Sequence, residues 1–466
     1  MKKLKQAYLI IALCFIFPSL AFGQKYKMPE YSTFKLDNGL TVYLMERHAI
    51  PVISVSAIIP AGAIDDGNQA GLADLTATAL KHGTKSYTKA QLDEEIDFIG
   101  ASLNTSASKE FSRLSSKFSA TDKAKVLNIV KEVLINPVFD LKEFEKEKSR
   151  LLVNLEQQKE SPRSVIGSYF NKLLYGDHVY SNITEGTIAS ISALTVNDLK
   201  KFHTENYIPN NAAVCIIGDF SSNEMKKEIT NLFSGWKKGK VASESRASKP
   251  INTPTENRVL LVNKEDAKET TFFIGSKGIS RNNPDFVAID VINTLFGGRF
   301  TSMLNDELRV NSGLTYGARS RFSTLKNGGS FYISTFTASK TTEAAIDKAL
   351  EVLNNLHANG IDEKSLTSAK NYVKGQFPPK YETTGQLANL LTQMFWYDFD
   401  ESFINNFEKN VDDLDLKKAN EIITNYFPKN KLQFVLVGKA SDIKSIAEKY
   451  GKVELVEIKE EIKSTF

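Results

Sequence analysis

The chain has few residues of the kinds that cross-link a fold or bind metals. Its 466 residues include two cysteines, Cys14 and Cys215, and five histidines. Cys14 lies in an N-terminal segment that we expect to be removed, so no internal disulfide is expected in the mature chain. No two histidines are three, four or five residues apart. The stability of the fold must therefore come from its hydrophobic core.

An excess of charge of one sign is also lacking. Lysine and arginine number 59 and aspartate and glutamate 55, which gives a net charge of +4. The two signs are interspersed along the chain, so nothing in the sequence indicates a nucleic acid partner. Hydrophobic residues make up 41% of the chain. This composition is typical of a globular protein with a large core.

One long apolar run is present, and it lies at the N-terminus. A basic stretch, MKKLKQ, precedes the apolar segment AYLIIALCFIF, and Ala21 and Gly23 supply small residues before a cleavage point. Pro18 interrupts the run before it reaches the ~20 residues that a membrane-spanning helix needs. Residues 1–23 are predicted to be a signal peptide. We expect a periplasmic or otherwise exported protein with no stable membrane span after signal removal.

Two segments about 220 residues apart repeat one pattern. Residues 194–220, LTVNDLKKFHTENYIPNNAAVCIIGDF, and residues 414–440, LDLKKANEIITNYFPKNKLQFVLVGKA, each read as an amphipathic helix, a proline and a buried strand. A polar stretch with little periodicity, 237–258, separates the two halves. The expected fold is α/β in the layered α+β sense, with two tandem homologous domains, 24–236 and 259–466, joined by a linker. Each domain is expected to be a mostly antiparallel sheet packed with helices.

The stretch AGLADLTATALKHGT, residues 70–84, carries a family resemblance. It resembles the N-terminal signature of the pitrilysin and insulinase peptidases, whose inverted zinc motif is H-x-x-E-H. The alignment puts Asp74 and Thr78 at the two histidine positions and Ala77 at the position of the catalytic glutamate. Glu156 matches the third zinc ligand, and Ser149, seven residues earlier, matches a supporting glutamate. Because the partner ligands are missing, an ordinary helix-surface glutamate is the favoured interpretation of Glu156. Threonine is a poor zinc ligand and alanine cannot accept a proton, so no metal is expected in this chain.

His82 lies on the same helix but eight residues from Asp74, which is more than two turns away, so it is not expected to rebuild a zinc site. We expect it to be a partly exposed residue near the helix end.

The second half carries the family's C-terminal signature. Residues 295–322, LFGGRFTSMLNDELRVNSGLTYGARSRF, contain a Gly-rich turn and then L-R-x-x-x-G-L-x-Y, with Arg309 and Tyr316 in place. The resemblance implies that these two side chains hold the carbonyl groups of a peptide substrate. Both can donate hydrogen bonds to a developing oxyanion. The ordinary alternative is a surface arginine and a tyrosine packed on its strand.

A third match is GASLNTSAS, residues 100–108. In active family members the corresponding strand is the edge to which the substrate adds as an extra strand. Asn104 and Thr105 are therefore candidate substrate-binding residues. The alternative is an ordinary edge strand with polar side chains.

Bacterial relatives of this length often form pairs of unlike subunits. The resemblance implies that this chain is the subunit without zinc, forming half of a clamshell chamber around the peptide. Zinc and the general base would come from a paralogous partner subunit in a heterodimer, and this chain itself would need no cofactor. Two alternatives stay open, a peptide-binding protein that acts without a partner and a scaffold protein of the cell envelope.

Overall fold

The structure is a computed structural model that describes residues 26–241, 247 and 249–460. The predicted signal peptide, 1–23, lies outside the described residues. Within the described part of the chain, no helix combines the length and the apolar character needed to cross a bilayer.

The first six-stranded sheet is built from residues 32–218. Its strand order is β1-β2-β6-β3-β5-β4, and all neighbours are antiparallel except β2 and β6. The central strands β3 and β6 are almost wholly buried, as expected for apolar runs covered on both faces. The strands are β1 Ser32–Lys35, β2 Thr41–Glu46, β3 Val52–Ile59, β4 Ser102–Ala107, β5 Ser112–Ser119 and β6 Ala213–Gly218.

The second sheet, formed by residues 258–457, repeats this plan. Its order is β12-β7-β11-β8-β10-β9, with parallel pairing between β12, β7 and β11 and antiparallel pairing elsewhere. Each sheet therefore has two edge strands that are paired on one side only, β1 and β4 in the first sheet and β12 and β9 in the second. The strands are β7 Arg258–Asn263, β8 Glu269–Lys277, β9 Arg319–Thr324, β10 Gly329–Ala338, β11 Gln433–Gly438 and β12 Lys452–Glu457.

Helices cover the sheets in both halves. In the first half the described α-helices are α1 Leu72–Ala79, α2 Lys89–Phe98, α3 Lys123–Ile135, α4 Leu141–Gln158, α5 Pro162–Tyr175, α6 Ile188–Ala193, α7 Val196–Asn206 and α8 Ser222–Phe233. In the second half they are α9 Phe286–Asn293, α10 Met303–Asn305, α11 Thr342–Asn359, α12 Glu363–Gln376, α13 Thr384–Tyr397, α14 Ser402–Asn405, α15 Phe407–Asp412, α16 Leu416–Tyr426 and α17 Ala440–Ala447.

The predicted internal repeat is confirmed. Helix α7 leads through Pro209 into the buried strand β6, and helix α16 leads through Pro428 into the buried strand β11. Proline cannot continue a helix beyond its first turn, because it lacks the backbone donor and clashes with the preceding turn. The same sequence pattern therefore produces the same helix, proline and buried strand in each half.

The two halves exchange one helix each. Helix α5 of the first half packs on β8 and β11 of the second sheet, where its Phe170 is fully buried. Helix α13 of the second half packs on β3 and β6 of the first sheet, with Trp396 against Ile58. The two helices lie at matching places in the repeat. The predicted fold class is confirmed, and the boundaries at 236 and 259 stay predictions.

Candidate functional site

Helix α1, which carries the resemblance to the zinc helix, begins at Gly71. This residue has φ of 89°, and a Cβ there would approach Gly186 Cα to 2.9 Å. A glycine N-cap offers no side chain to the first helical N–H groups, and Asp66 takes over this role. Its two carboxylate oxygens accept from Gly71 N at 2.9 Å and Ala73 N at 2.8 Å. Burial raises the pKa of Asp66 to about 8, and the two N–H groups lower it.

The motif positions on α1 hold one possible metal ligand. Burial and the nearby Glu185 carboxylate raise the pKa of Asp74 to about 6, while the Ala107 backbone N–H donates to it and lowers the pKa. Ala77 is fully buried, and Thr78 is partly buried. The helix therefore presents one carboxyl group and one hydroxyl where the family places two imidazoles and a base.

On α4, the structure separates the two candidate positions from α1. Glu156 is exposed and forms an ion pair with Lys159 at 3.4 Å. Ser149, which matches a supporting glutamate of the family, is also exposed, and its hydroxyl donates to the Glu145 carbonyl. A different residue of α4, Glu147, acts on Asp74, because the charge of its carboxylate raises the pKa of Asp74.

Sequence reasoning missed Glu147, although its spacing carried a signal. Glu147 follows the buried Phe144 by three residues and precedes the half-buried Leu151 by four. Residues three and four apart share one face of a helix, so Glu147 lies on the packed face of α4. Its carboxylate pairs with Arg150 at 2.5 Å.

His82 corrects one expectation from the sequence. The sequence suggested a partly exposed residue near the end of the helix, whereas His82 is 5% exposed. Burial lowers the pKa of its imidazole, and Glu147 and Glu143 raise it. In residues 26–241, 247 and 249–460, no three His, Cys, Asp or Glu side chains are grouped so that they could hold a metal ion.

Strand β4 is an edge strand, as the sequence predicted. It pairs with β5 alone, with Asn104 opposite Ser115 and Thr105 opposite Leu114. The side chain of Asn104 is exposed, and that of Thr105 is partly buried. Helix α1 lies against the strand, and Lys81 Nζ donates to the Leu103 carbonyl at 3.3 Å. The edge is thus partly covered by the helix that carries the motif.

Arg309 lies in a π-helical turn, Asp306–Asn311, that continues the short helix α10. Such turns are rare and are often found at functional sites. The guanidinium carbon lies 4.7 Å from the ring centroid of Phe300, which is itself 66% exposed. Gly313 follows with φ of 61°, a conformation that favours glycine. The turn therefore presents a cation next to an exposed ring.

Tyr316 follows in the loop before β9 and is 81% exposed. Its ring lies 6.4 Å from that of Phe336, and it lines a cavity of about 550 Å³ together with Arg163, Arg319 and Ser334. Arg309 and Tyr316 lie in the half of the chain that builds the second sheet, whereas α1 packs on the first sheet. The retained pair and the degenerate helix thus belong to different halves of the chain.

Comparison with known families now identifies the chain. Residues 41–188 match the model described as Insulinase (Peptidase family M16), and residues 193–373 match the model described as Peptidase M16 inactive domain. The chain belongs to the M16 family. The M16 match runs through both sheets and includes α1 and the segment with Arg309 and Tyr316.

Relatives and solved structures agree with this assignment. The M16 chain is 25% identical over 396 residues to "Non-peptidase homolog YmxG" of Helicobacter pylori, covering 84% of this chain and 90% of that protein. It is 26% identical over 345 residues to "Uncharacterized zinc protease ML0855" of Mycobacterium leprae, with coverages of 73% and 76%. A crystal structure of a peptidase M16 inactive domain from Pseudomonas fluorescens superposes with a TM-score of 0.83 at 24% identity, with coverages of 88% and 98%. Together with the degenerate motif on α1, the inactive-domain model and the non-peptidase relative support a catalytically inactive member of the family.

Proposed function

We propose that this chain is the zinc-free subunit of a heterodimeric metallopeptidase. The observation that carries the proposal is the exposure of Tyr316, whose phenol has no hydrogen-bond partner among the described residues. An ordered, exposed phenol at the mouth of a cavity is available to a ligand. Arg309 lies seven residues earlier in the same segment, on a turn of unusual geometry.

The chemistry of the pair suits a peptide carbonyl. A guanidinium and a phenol are both hydrogen-bond donors, and the guanidinium keeps its charge at any physiological pH. Donors fixed in advance stabilise the negative charge that develops on a carbonyl oxygen during hydrolysis, and one such donor typically contributes ~10² to 10³ in rate. The residues on α1 do not fit a zinc ion, so zinc and the general base are assigned to a paralogous partner subunit.

Asn104 and Thr105 complete the proposed site as substrate-binding residues on β4. An extended peptide can pair with an edge strand through its backbone, and this binds many sequences equally well. We also propose that the subunit is exported to the periplasm, on the strength of the signal pattern in residues 1–23.

The test is reconstitution with a family relative that carries an intact H-x-x-E-H helix. The wild-type pair should cleave an unstructured peptide, and the Arg309→Ala, Tyr316→Phe double variant should lower kcat by about 100-fold or more. Arg47→Ala combined with Tyr87→Phe makes the same chemical changes in the first lobe and should leave the rate within about twofold. Equal cleavage by the double variant and the wild type would refute the role of the pair.

A peptide-binding protein without a partner is the second candidate. It is favoured by the edge strands β4 and β9, each of which pairs on one side only. A binder should hold peptides with the same affinity whether or not a zinc-bearing partner is present. A scaffold would keep its assembly intact after loss of both Arg309 and Tyr316.

A further inference from the structure

One face of the second sheet is uncovered near β9 and carries unpaired positive charge. Two cavities, of about 460 and 550 Å³, lie on this face and share Arg319 and Ser334 in their linings. We call the two together the cationic groove. Tyr316 lines one of the two cavities, and Lys380 lines the other.

The basic side chains of the groove outnumber its acidic ones. Arg163, Arg319, Arg321 and Lys380 line it, and Asp290 is the one acidic residue among the described lining residues. Burial raises the pKa of the Asp290 carboxyl, while Lys380 and Arg281 lower it. The groove is therefore positive as a whole.

The two arginines on β9 have no internal partner. Arg319 and Arg321 are exposed, and neither has a carboxylate within ion-pair distance in the part of the chain that the structure describes. Arg163 differs, because its guanidinium stacks 3.6 Å from the Phe336 ring centroid and lies 3.9 Å from Glu269. The charge of Arg319 and Arg321 is thus available to a ligand.

Their spacing indicates the shape of that ligand. Residues 319 and 321 alternate along β9 and point to the same face, about 6.6–6.8 Å apart along the strand. Alternate side chains of any extended peptide have this same spacing. The floor between them and α5 is aromatic, with Tyr332 stacked on Phe273 at 4.6 Å between ring centroids. Such a surface suits the backbone of an extended chain.

We propose that the cationic groove binds an extended peptide segment with carboxylates at alternate positions. Because Arg319 shares a cavity with Tyr316, the segment would lie next to the bond whose carbonyl the phenol holds. This inference rests on the proposed function and adds its substrate class, acidic peptides. The neutral edge strand β4, SLNTSA, offers no charge of its own, so the selectivity is assigned to the second lobe.

The experiment measures binding to the full chain alone, without a partner. Three fluorescent ten-residue peptides carry glutamate, glutamine or lysine at alternate positions and are otherwise identical. At low salt the glutamate peptide should bind about tenfold or more tighter than the lysine peptide, and the preference should shrink as salt screens the charges. Arg319→Gln with Arg321→Gln should reduce the preference to about twofold or less.

A matched control removes the same charge elsewhere. Lys417 and Lys429 are exposed and lie outside the groove, so Lys417→Gln with Lys429→Gln should keep the full preference. The inference is overturned if the glutamate and lysine peptides bind equally, if the arginine variant keeps the preference, or if the acidic peptide shows no binding up to about 1 mM. None of these readouts needs zinc or cleavage, so failure of the heterodimer would leave them unaffected.

Discussion

In the first half of the chain, Thr78 and Ala77 are the side chains that exclude zinc binding and general-base catalysis. A zinc site requires about three N, S or O donors at ~2.0 to 2.3 Å, and the alanine supplies none. Asp74 remains as a single carboxyl group, and it accepts a hydrogen bond from the Ala107 N–H. Glu147 is the α4 carboxylate that acts on it, and Arg150 neutralises that carboxylate. What is left is a hydrogen-bonded polar cluster and not a coordination sphere.

The first prediction concerns metal content. The purified chain, dialysed against buffer with micromolar zinc, should retain less than about 0.1 zinc per molecule because it lacks the necessary ligands. A relative with an intact H-x-x-E-H helix, treated in parallel, should retain close to one. Atomic emission on both samples is the measurement. Stoichiometric zinc in this chain would contradict the prediction and would support an active enzyme.

The second prediction concerns His203 at the end of α7. Its Nε2 lies 2.9 Å from the Leu134 carbonyl, its ring stacks on Tyr207, and burial lowers its pKa from 6.5 to about 4. As the pH falls, the imidazole is protonated in the unfolded chain before it is protonated in the folded chain. The folded state therefore has its full stability above pH 6.5, and it loses stability as the pH falls from 6.5 toward 4. Between pH 7 and pH 5 the free energy of unfolding should drop by about 2 kcal/mol on this account.

Urea unfolding of the wild type and of His203→Gln at pH 7 and pH 5 measures the contribution of His203 to the pH dependence of the free energy of unfolding. Glutamine keeps an N–H donor for Leu134 but does not titrate, so the variant should lose less stability between pH 7 and pH 5. Lys200→Gln, at an exposed position of the same helix, should follow the wild type. Parallel losses in the wild type and His203→Gln would show that the buried imidazole does not set the pH dependence.

At the scale of elements, the start of α1 depends on a residue outside the helix. Asp66→Ala would leave the N–H groups of Gly71 and Ala73 buried without their acceptor. Leaving such groups unsatisfied should lower the free energy of unfolding by about 1–3 kcal/mol, measured by urea titration at pH 7. Asp93→Ala removes an exposed carboxylate that pairs with Lys89 and should cost about 0.5 kcal/mol or less. Equal costs for both variants would contradict the assignment.

Local sequence pattern was enough to predict several elements. The proline stops, the buried strands β6 and β11 and the polar edge strand β4 each follow from residues next to one another in the chain. The face that α4 turns toward α1 follows from the spacing of Phe144 and Leu151, whereas aligning the family motif led to Glu156, which is exposed. The cationic groove could not be predicted in this way, because residues on α5, β9 and the loop after α12 meet only in the folded chain.

At the scale of the whole molecule, the exchanged helices join the lobes. An amphipathic pattern shows that one helix face is buried but does not show which sheet buries it. Helix α5 buries Val165, Ile166, Phe170 and Leu173 in a cluster with strands of the second sheet, and α13 buries Leu387, Leu390, Leu391 and Met394 in a cluster that includes Met45, Cys215 and Ile217 of the first. At ~1.5–3 kcal/mol for each large apolar side chain, each helix contributes on the order of 6–12 kcal/mol. That is comparable with the whole stability of a typical domain.

The last prediction follows from that comparison. Fragments 26–236 and 259–460 should each fail to show a sharp urea transition, because each leaves a helix without its sheet and a sheet without its helix. Mixed during refolding, the two fragments should recover a cooperative transition, since every contact is then present again. A full chain cut only by a protease site inserted within 237–258 is the matched control, and it should unfold like the intact protein. A sharp transition in either fragment alone would mean that this half folds cooperatively without the helix of the other half. The exchanged helices would then connect two independently stable domains and would not be required parts of their cores.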